Sequence, residues 1–343
     1  MFRRNAAAAI RPLGAVAIAL AILGTRPAAA ETPEVVVSIK PIHALVAGLL
    51  DGIAKPALLV DGAASPHTYA LKPSDGRALD RAHIFVRIGD SVDPFARKLV
   101  TGLDRKVTVV TVQDIPGMTL KTIRTGAAFE AHDHDDDHGH GAKKGHDHDK
   151  HSGKSTTKAK AKDHDHDHDG AVDGHVWLDP ANARLIVAHL QDLLAKRYPD
   201  HATRVAENAG KLTARLGELE SGLGRRMRAL AGRPFVVFHD GYQYFEARFG
   251  LTAAGAITAN PEVPPGAKRI SELRKRIGDL GARCVFAEPQ FRAKVVNSII
   301  EGTKAKAGVL DPIGAEIASG PELYFTMMGN LAASFESCLA DPS

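Results

Sequence analysis

Histidine and aspartate alternate between Ala131 and Gly170. His132, His134, His138, His140, His146, His148 and His151 lead to His164, His166 and His168, which are interleaved with Asp163, Asp165, Asp167 and Asp169. This tract holds ten of the chain's 17 histidines. Neutral imidazole is the commonest side-chain ligand of borderline transition metals, and carboxylates add ligands and negative charge. Polar drift in a solvated insert would supply Ser, Lys and Glu instead. The tract therefore reads as a collector of zinc, nickel or copper, holding several ions weakly. Three histidines outside it occupy different surroundings: His67 in Ser65-Pro66-His67-Thr68-Tyr69, His175 in Asp173-Gly174-His175-Val176-Trp177, and His239 in Val237-Phe238-His239-Asp240. His67 and His239 follow runs that read as strands, and ligands bind at the carboxyl edge of open α/β sheets. Glu288, in Phe286-Ala287-Glu288-Pro289-Gln290, follows another such run. It can serve as a fourth ligand or as the N-cap of the helix behind it. His43, His83, His189 and His201 read as capping or hydrogen-bonded residues.

Three imidazoles and one oxygen make a tetrahedral site suited to Zn²⁺, whereas Mn²⁺ and Mg²⁺ prefer more oxygen. Asp173, Asp179 and Asp240 stand near these histidines in sequence and are candidates for orienting them.

The elements that would position these residues begin after residue 30. Arg3, Arg4 and Arg11 precede an apolar stretch from Leu13 to Leu23, and Ala28-Ala29-Ala30 follows as a small-residue cleavage site. That pattern predicts a secretory signal peptide over 1–30 and a soluble periplasmic mature chain. Removing it leaves 40 basic residues against 40 acidic ones, which excludes the electrostatic case for nucleic acid. Cys284 and Cys338 are the only cysteines. In an exported chain they read as one disulfide, with two buried thiols as the alternative.

Short β-branched runs at Val35–Ile39, Ala57–Val60, Ile84–Ile88 and Val107–Val112 alternate with helix-like segments, the pattern of βα units and a parallel sheet. The pattern restarts at Phe235–Phe238, Ala253–Ile257, Cys284–Ala287 and Gly308–Leu310, with a helix over Ala267–Ile277. Between them, Asp179-Pro180 reads as an N-cap and first helical residue. Leu212, Leu216, Leu219 and Leu223 then mark one long amphipathic helix. The expected fold is α/β. Two lobes, each a mainly parallel sheet flanked by helices, are joined by one long rigid helix with a metal site in the cleft. The expected domains are a lobe over 31–180 containing the insert 131–170, a helical link over 181–231, and a lobe over 232–343.

The segments around His67 with Lys72-Pro73-Ser74-Asp75, and those around His175, His239 and Glu288, resemble the motifs of cluster A-I solute-binding proteins, which serve ABC importers of zinc and manganese. The chain most resembles the zinc-specific, ZnuA-like periplasmic branch, which carries a His/Asp-rich insert at this place and a second-lobe disulfide matching Cys284 and Cys338. The likeness runs from about Glu34 to the C-terminus. It implies that His67, His175 and His239 bind Zn²⁺, and that the partners are a membrane permease and its cytoplasmic ATPase. It also implies a monomer without catalytic residues. Manganese-type relatives tend to carry a carboxylate at the third position and Asp at the fourth, where this chain has His239 and Glu288. Some zinc relatives place Glu directly before the first histidine, where this chain has Pro66. Glu288 or a water would then complete the shell. The reading from another class is an exported zinc hydrolase with Glu288 as general base, although no HExxH or GxSxG motif is present.

Overall fold

The computed structural model describes residues 34–126, 128–129, 171–258, 261, 265–291 and 293–340. The signal segment expected over 1–30 and the His/Asp-rich tract over 131–170 lie outside the described residues. No helix among the described residues is long and apolar enough to cross a membrane.

The first half runs β1 (Val35–Ile39), α1 (Lys40–Leu49), β2 (Ala57–Val60), α2 (Pro73–Arg81), β3 (Ile84–Arg87), α3 (Phe95–Gly102) and β4 (Thr108–Thr111). Its four strands are parallel in the order β2-β1-β3-β4, with Val37 opposite both Leu58 and Val86. A short antiparallel ribbon follows, β5 (Lys121–Thr122) against β6 (Val172–Asp173), whose strands flank the His/Asp-rich tract in sequence. Then come α4 (Pro180–Arg197) and α5 (Ala202–Met227). The second half runs β7 (Phe235–His239), α6 (Gln243–Phe249), β8 (Ala253–Thr258), α7 (Ala267–Leu280), β9 (Cys284–Ala287), α8 (Ala293–Ile300), β10 (Lys306–Val309) and α9 (Leu323–Leu339). Its sheet is also all parallel, in the order β10-β9-β7-β8. The central strands β1 and β7 are buried at every residue, as strands covered by helices on both faces must be.

The link between the sheets is a pair of packed helices. Asp179 accepts a hydrogen bond from the Ala181 amide at 2.8 Å, and Pro180 supplies the fixed φ of the first turn of α4. A turn at Tyr198–His201 leads into α5, whose 26 residues span about 39 Å at 1.5 Å per residue. Its apolar stripe, including Val205, Leu212, Leu216 and Leu223, packs against α1, α4 and α9. The two helices approach closely at Gly48 of α1, where a Cβ would come within 2.9 Å of the Leu212 methyls and oblige that side chain to shift. One apolar cluster therefore runs from β1 and α1 through α4 and α5 to β7 and α9. The helix joining the lobes is part of a shared core.

Cys284 of β9 and Cys338 of α9 form a disulfide with Cα atoms 6.0 Å apart. It closes a 54-residue separation, for which the chain-entropy model gives about 4 kcal/mol. Replacing both cysteines by alanine is expected to lower unfolding free energy by an amount of that order in urea titrations. A loss well below 1 kcal/mol would show that the second sheet and α9 are held together without it.

Candidate metal centre

Each of the three histidines reaches the same place from a different connection. His67 lies in the loop that leaves β2, His175 follows β6 at the turn into α4, and His239 is the last residue of β7. Their ligand nitrogens all lie within 4.8 Å of one another, His67 half-buried and the other two buried. The Nε2 atoms of His175 and His239 are 3.1 Å apart. Two nitrogens bound to one tetrahedral zinc at 2.0–2.1 Å would stand about 3.3 Å apart. That pair is already set for an ion, and the third edge closes with a shift of His67 on the order of 1 Å.

Each ring is held from behind. His175 donates from Nδ1 to Asp173 Oδ1 at 2.7 Å, and His239 donates from Nδ1 to Glu288 Oε1 at 2.6 Å. His67 hydrogen-bonds the Ser91 backbone carbonyl. A buried carboxylate behind Nδ1 places the proton there and leaves the Nε2 lone pair facing forward. Two such lone pairs confronting each other at 3.1 Å repel unless a cation or an extra proton sits between them. A cluster arranged in this way could hold a positive ion.

The proton affinities follow. Burial first, then the imidazoles of His175 and His239, push His67 down from 6.5 to about 3, against a weaker opposing pull from the Ser91 carbonyl. Burial also works against a charge on His239. Burial is the largest single effect there, but the charge and hydrogen bond of Glu288 together with the charges of Asp173 and Asp240 outweigh it and raise the histidine above 6.5. Tyr242 hydrogen-bonds the same carboxylate and is held far above its ordinary value, by burial first and then by Glu288.

The supporting loops come from both halves. A buried Arg87–Asp93 pair and Asp93 bonds to the Ile88 and Gly89 amides hold the loop that offers the Ser91 carbonyl. The Tyr244 hydroxyl of α6 donates to the Asp173 carbonyl at 2.6 Å, and Gln243 donates to Asp173 Oδ2 at 3.1 Å. Arg248 clamps Asp179 through two bonds of 2.7 Å. Arg124, just beyond β5, pairs with Asp240 and Glu246 and lies 4.0 Å over the Phe129 ring. Lys40 of α1 donates to the Ala315 and Ile317 carbonyls at 3.0 and 2.7 Å, and the Trp177 indole donates to the Pro312 carbonyl. His175 and His239 are thereby tied to each other without an ion.

The structure brings together His67, His175 and His239, the three histidines singled out in the sequence. Glu288 stands at the Nδ1 side of His239, away from the side where the Nε2 atoms meet. Of the three aspartates expected to orient imidazoles, only Asp173 does so. Asp179 caps α4 and binds Arg248, and Asp240 binds Arg124, because each has a guanidinium within reach and no imidazole nitrogen left to serve. The ten tract histidines lie outside the described residues. Sequence reasoning missed Ser91, Gln243, Tyr244 and Arg124.

Residues 35–338 match the family model described as zinc-uptake complex component A, periplasmic. The chain is 48% identical over 312 residues to the high-affinity zinc uptake system protein ZnuA of Brucella suis, covering 91% of this chain and 93% of that one. It is 40% identical over 316 residues to the protein of the same name from Haemophilus influenzae, with 90% and 93% covered. Among solved structures it resembles the crystal structure of ZnuA, with a TM-score of 0.69 at 22% identity over 90% of this chain and 100% of that one. A deletion mutant of ZnuA with zinc bound gives a TM-score of 0.69 at 20% identity, with 91% and 100% covered. These two likenesses carry the fold.

In the metal-free protein, imidazole NMR titration is expected to find His67 neutral down to about pH 3 and His239 taking its proton above 6.5. A proton on His239 occupies the lone pair an ion needs. Metal affinity should therefore start to fall while the pH is still above 6.5. Titration of His239 below that value would contradict the role given to Glu288.

Proposed function

The chain belongs to the family of periplasmic zinc-uptake components, and on that premise we propose that it captures Zn²⁺ and delivers it to the permease of an ABC importer. Supporting this reading are three convergent imidazoles, of which two face each other at 3.1 Å and are fixed from behind by carboxylates. His67, His175 and His239 are the ligands of one tight site. Glu288 acts in this reading through His239: it sets the tautomer and raises ligand basicity, while a fourth ligand comes from outside the protein. Nitrogen-rich coordination disfavours Mn²⁺ and Mg²⁺. Copper would bind such a set more tightly than zinc, so selection in the cell depends on which ion is available.

The relatives named above are uptake proteins, which supports binding over catalysis. The hydrolase alternative needed Glu288 as a free base, and its carboxylate is engaged by His239 and Tyr242. The signal peptide and periplasmic location expected from residues 1–30 fit the same role. The His/Asp tract serves as an auxiliary collector whose weaker ions raise the local supply to the cleft.

Calorimetric zinc titration of chelator-stripped protein lacking residues 132–168 tests this. The emission of Trp177, the chain's single tryptophan, gives a second readout because its ring lies 5.1 Å from that of His175. One tight site is expected, lost on substitution of any of the three histidines by alanine. Asp173→Asn and Glu288→Gln should each weaken it by roughly 10–100-fold. Absence of a tight site in the shortened protein would make the tract the binding element and overturn the proposal.

A further inference from the structure

The nearby carboxylates are engaged elsewhere. Asp173 serves His175, Glu288 serves His239 and Tyr242, and Asp240 serves Arg124. Zinc in a site of this kind takes a fourth ligand. The three imidazoles open onto a pocket of about 320 Å³, whose walls include Thr68, Ser91, Ile123, Arg124 and Phe129. A water's share of liquid volume is about 30 Å³, and small-molecule pockets begin at about 300 Å³. The space is therefore much larger than a completing water needs.

Its walls are of two kinds. Ile123 is 37% exposed at the rim, an apolar surface that the fold leaves open. Phe129 lines the same pocket, beneath the Arg124 guanidinium. On the polar side stands Arg124. Arginine has five N–H groups, and the bonds of Arg124 to Asp240 and Glu246 use both on Nη2, the one on Nε and one of two on Nη1. The remaining N–H of Arg124 beside an apolar rim suits a small molecule with a carboxylate at one end and a ring or aliphatic body at the other.

Resting on the reading of the histidine cluster as a zinc site, we propose that the pocket admits zinc together with one small amino-acid carboxylate. A carboxylate oxygen takes the fourth position on the ion, and the side chain lies against Ile123 and Phe129. The protein would then take up zinc from small chelates without first stripping the last ligand. That is an advantage where free zinc is scarce, because the zinc–ligand bond that survives transfer need not be broken.

Native mass spectrometry of the full chain, stripped of metal and reloaded with Zn²⁺ in the presence or absence of L-histidine, tests this. The wild-type protein is expected to gain a histidine adduct only when zinc is present. Ile123→Trp enlarges the side chain at the rim and leaves all three imidazoles in place in the sequence, so it should carry the same zinc and one fewer histidine. Zinc uptake with no histidine adduct overturns the proposal and leaves the zinc site standing. Adducts that are unchanged in Ile123→Trp also overturn it, since they would belong to ions elsewhere. Failure of the wild-type protein to take up zinc tightly would instead overturn the reading beneath it.

Discussion

Two imidazole Nε2 atoms face each other at 3.1 Å, and the carboxylates at Nδ1 favour the tautomer that turns both lone pairs forward when the rings are neutral. Left free, the rings would rotate or trade protons until one donated to the other. Asp173 and Glu288 prevent this by holding both Nδ1 protons from behind. A buried pair of acceptors in that state is unfavourable unless a positive charge sits between them. His67 adds a third neutral nitrogen, kept neutral by burial and by its two neighbours. The cluster is thus organised against protons at one corner and receptive to cations at another.

The fold makes this arrangement possible through where it puts its strand ends. His239 closes β7 and Glu288 follows β9, the neighbouring strand, so ring and carboxylate leave one sheet edge side by side. His175 belongs to the other half of the chain and is brought in by α6, whose Gln243, Tyr244 and Arg248 grip Asp173 and Asp179. Beneath the site, a single apolar cluster extends through α5 from one sheet to the other. A continuous core of this kind resists wide opening, because any separation of the sheets would expose apolar surface at about 25 cal/mol per Å². Movement is easier in the loop carrying His67, which is half-buried and has no carboxylate behind its ring.

Much of this was legible in the residues. Short runs rich in apolar residues marked the strands of the two sheets, most clearly the central ones, since parallel strands covered on both faces are largely apolar. The edge strand β10 starts at Lys306, two residues before the expected Gly308, since its register is set by backbone pairing with Cys284 and not by side-chain pattern. The three histidines stood out by position after strands or at the insert's return. What supports them did not. The oxygen behind His67 is a main-chain carbonyl, which has no sequence signature. Arg124 and Asp240 are 116 residues apart, and only folding brings them together. Glu288 was visible as a carboxylate at the correct edge, but its partner, Nδ1 or the ion, depended on a side-chain direction that spacing does not encode.

The proposed function requires that three imidazoles, from His67, His175 and His239, surround one zinc ion with no protein carboxylate in contact with it. X-ray absorption at the zinc edge, on singly loaded protein lacking residues 132–168, tests that coordination directly. Three imidazole nitrogens at about 2.0–2.1 Å are expected, with one oxygen that does not change in Glu288→Gln. A shell with fewer than three imidazoles, or one that loses its oxygen when Glu288 is replaced, would contradict it.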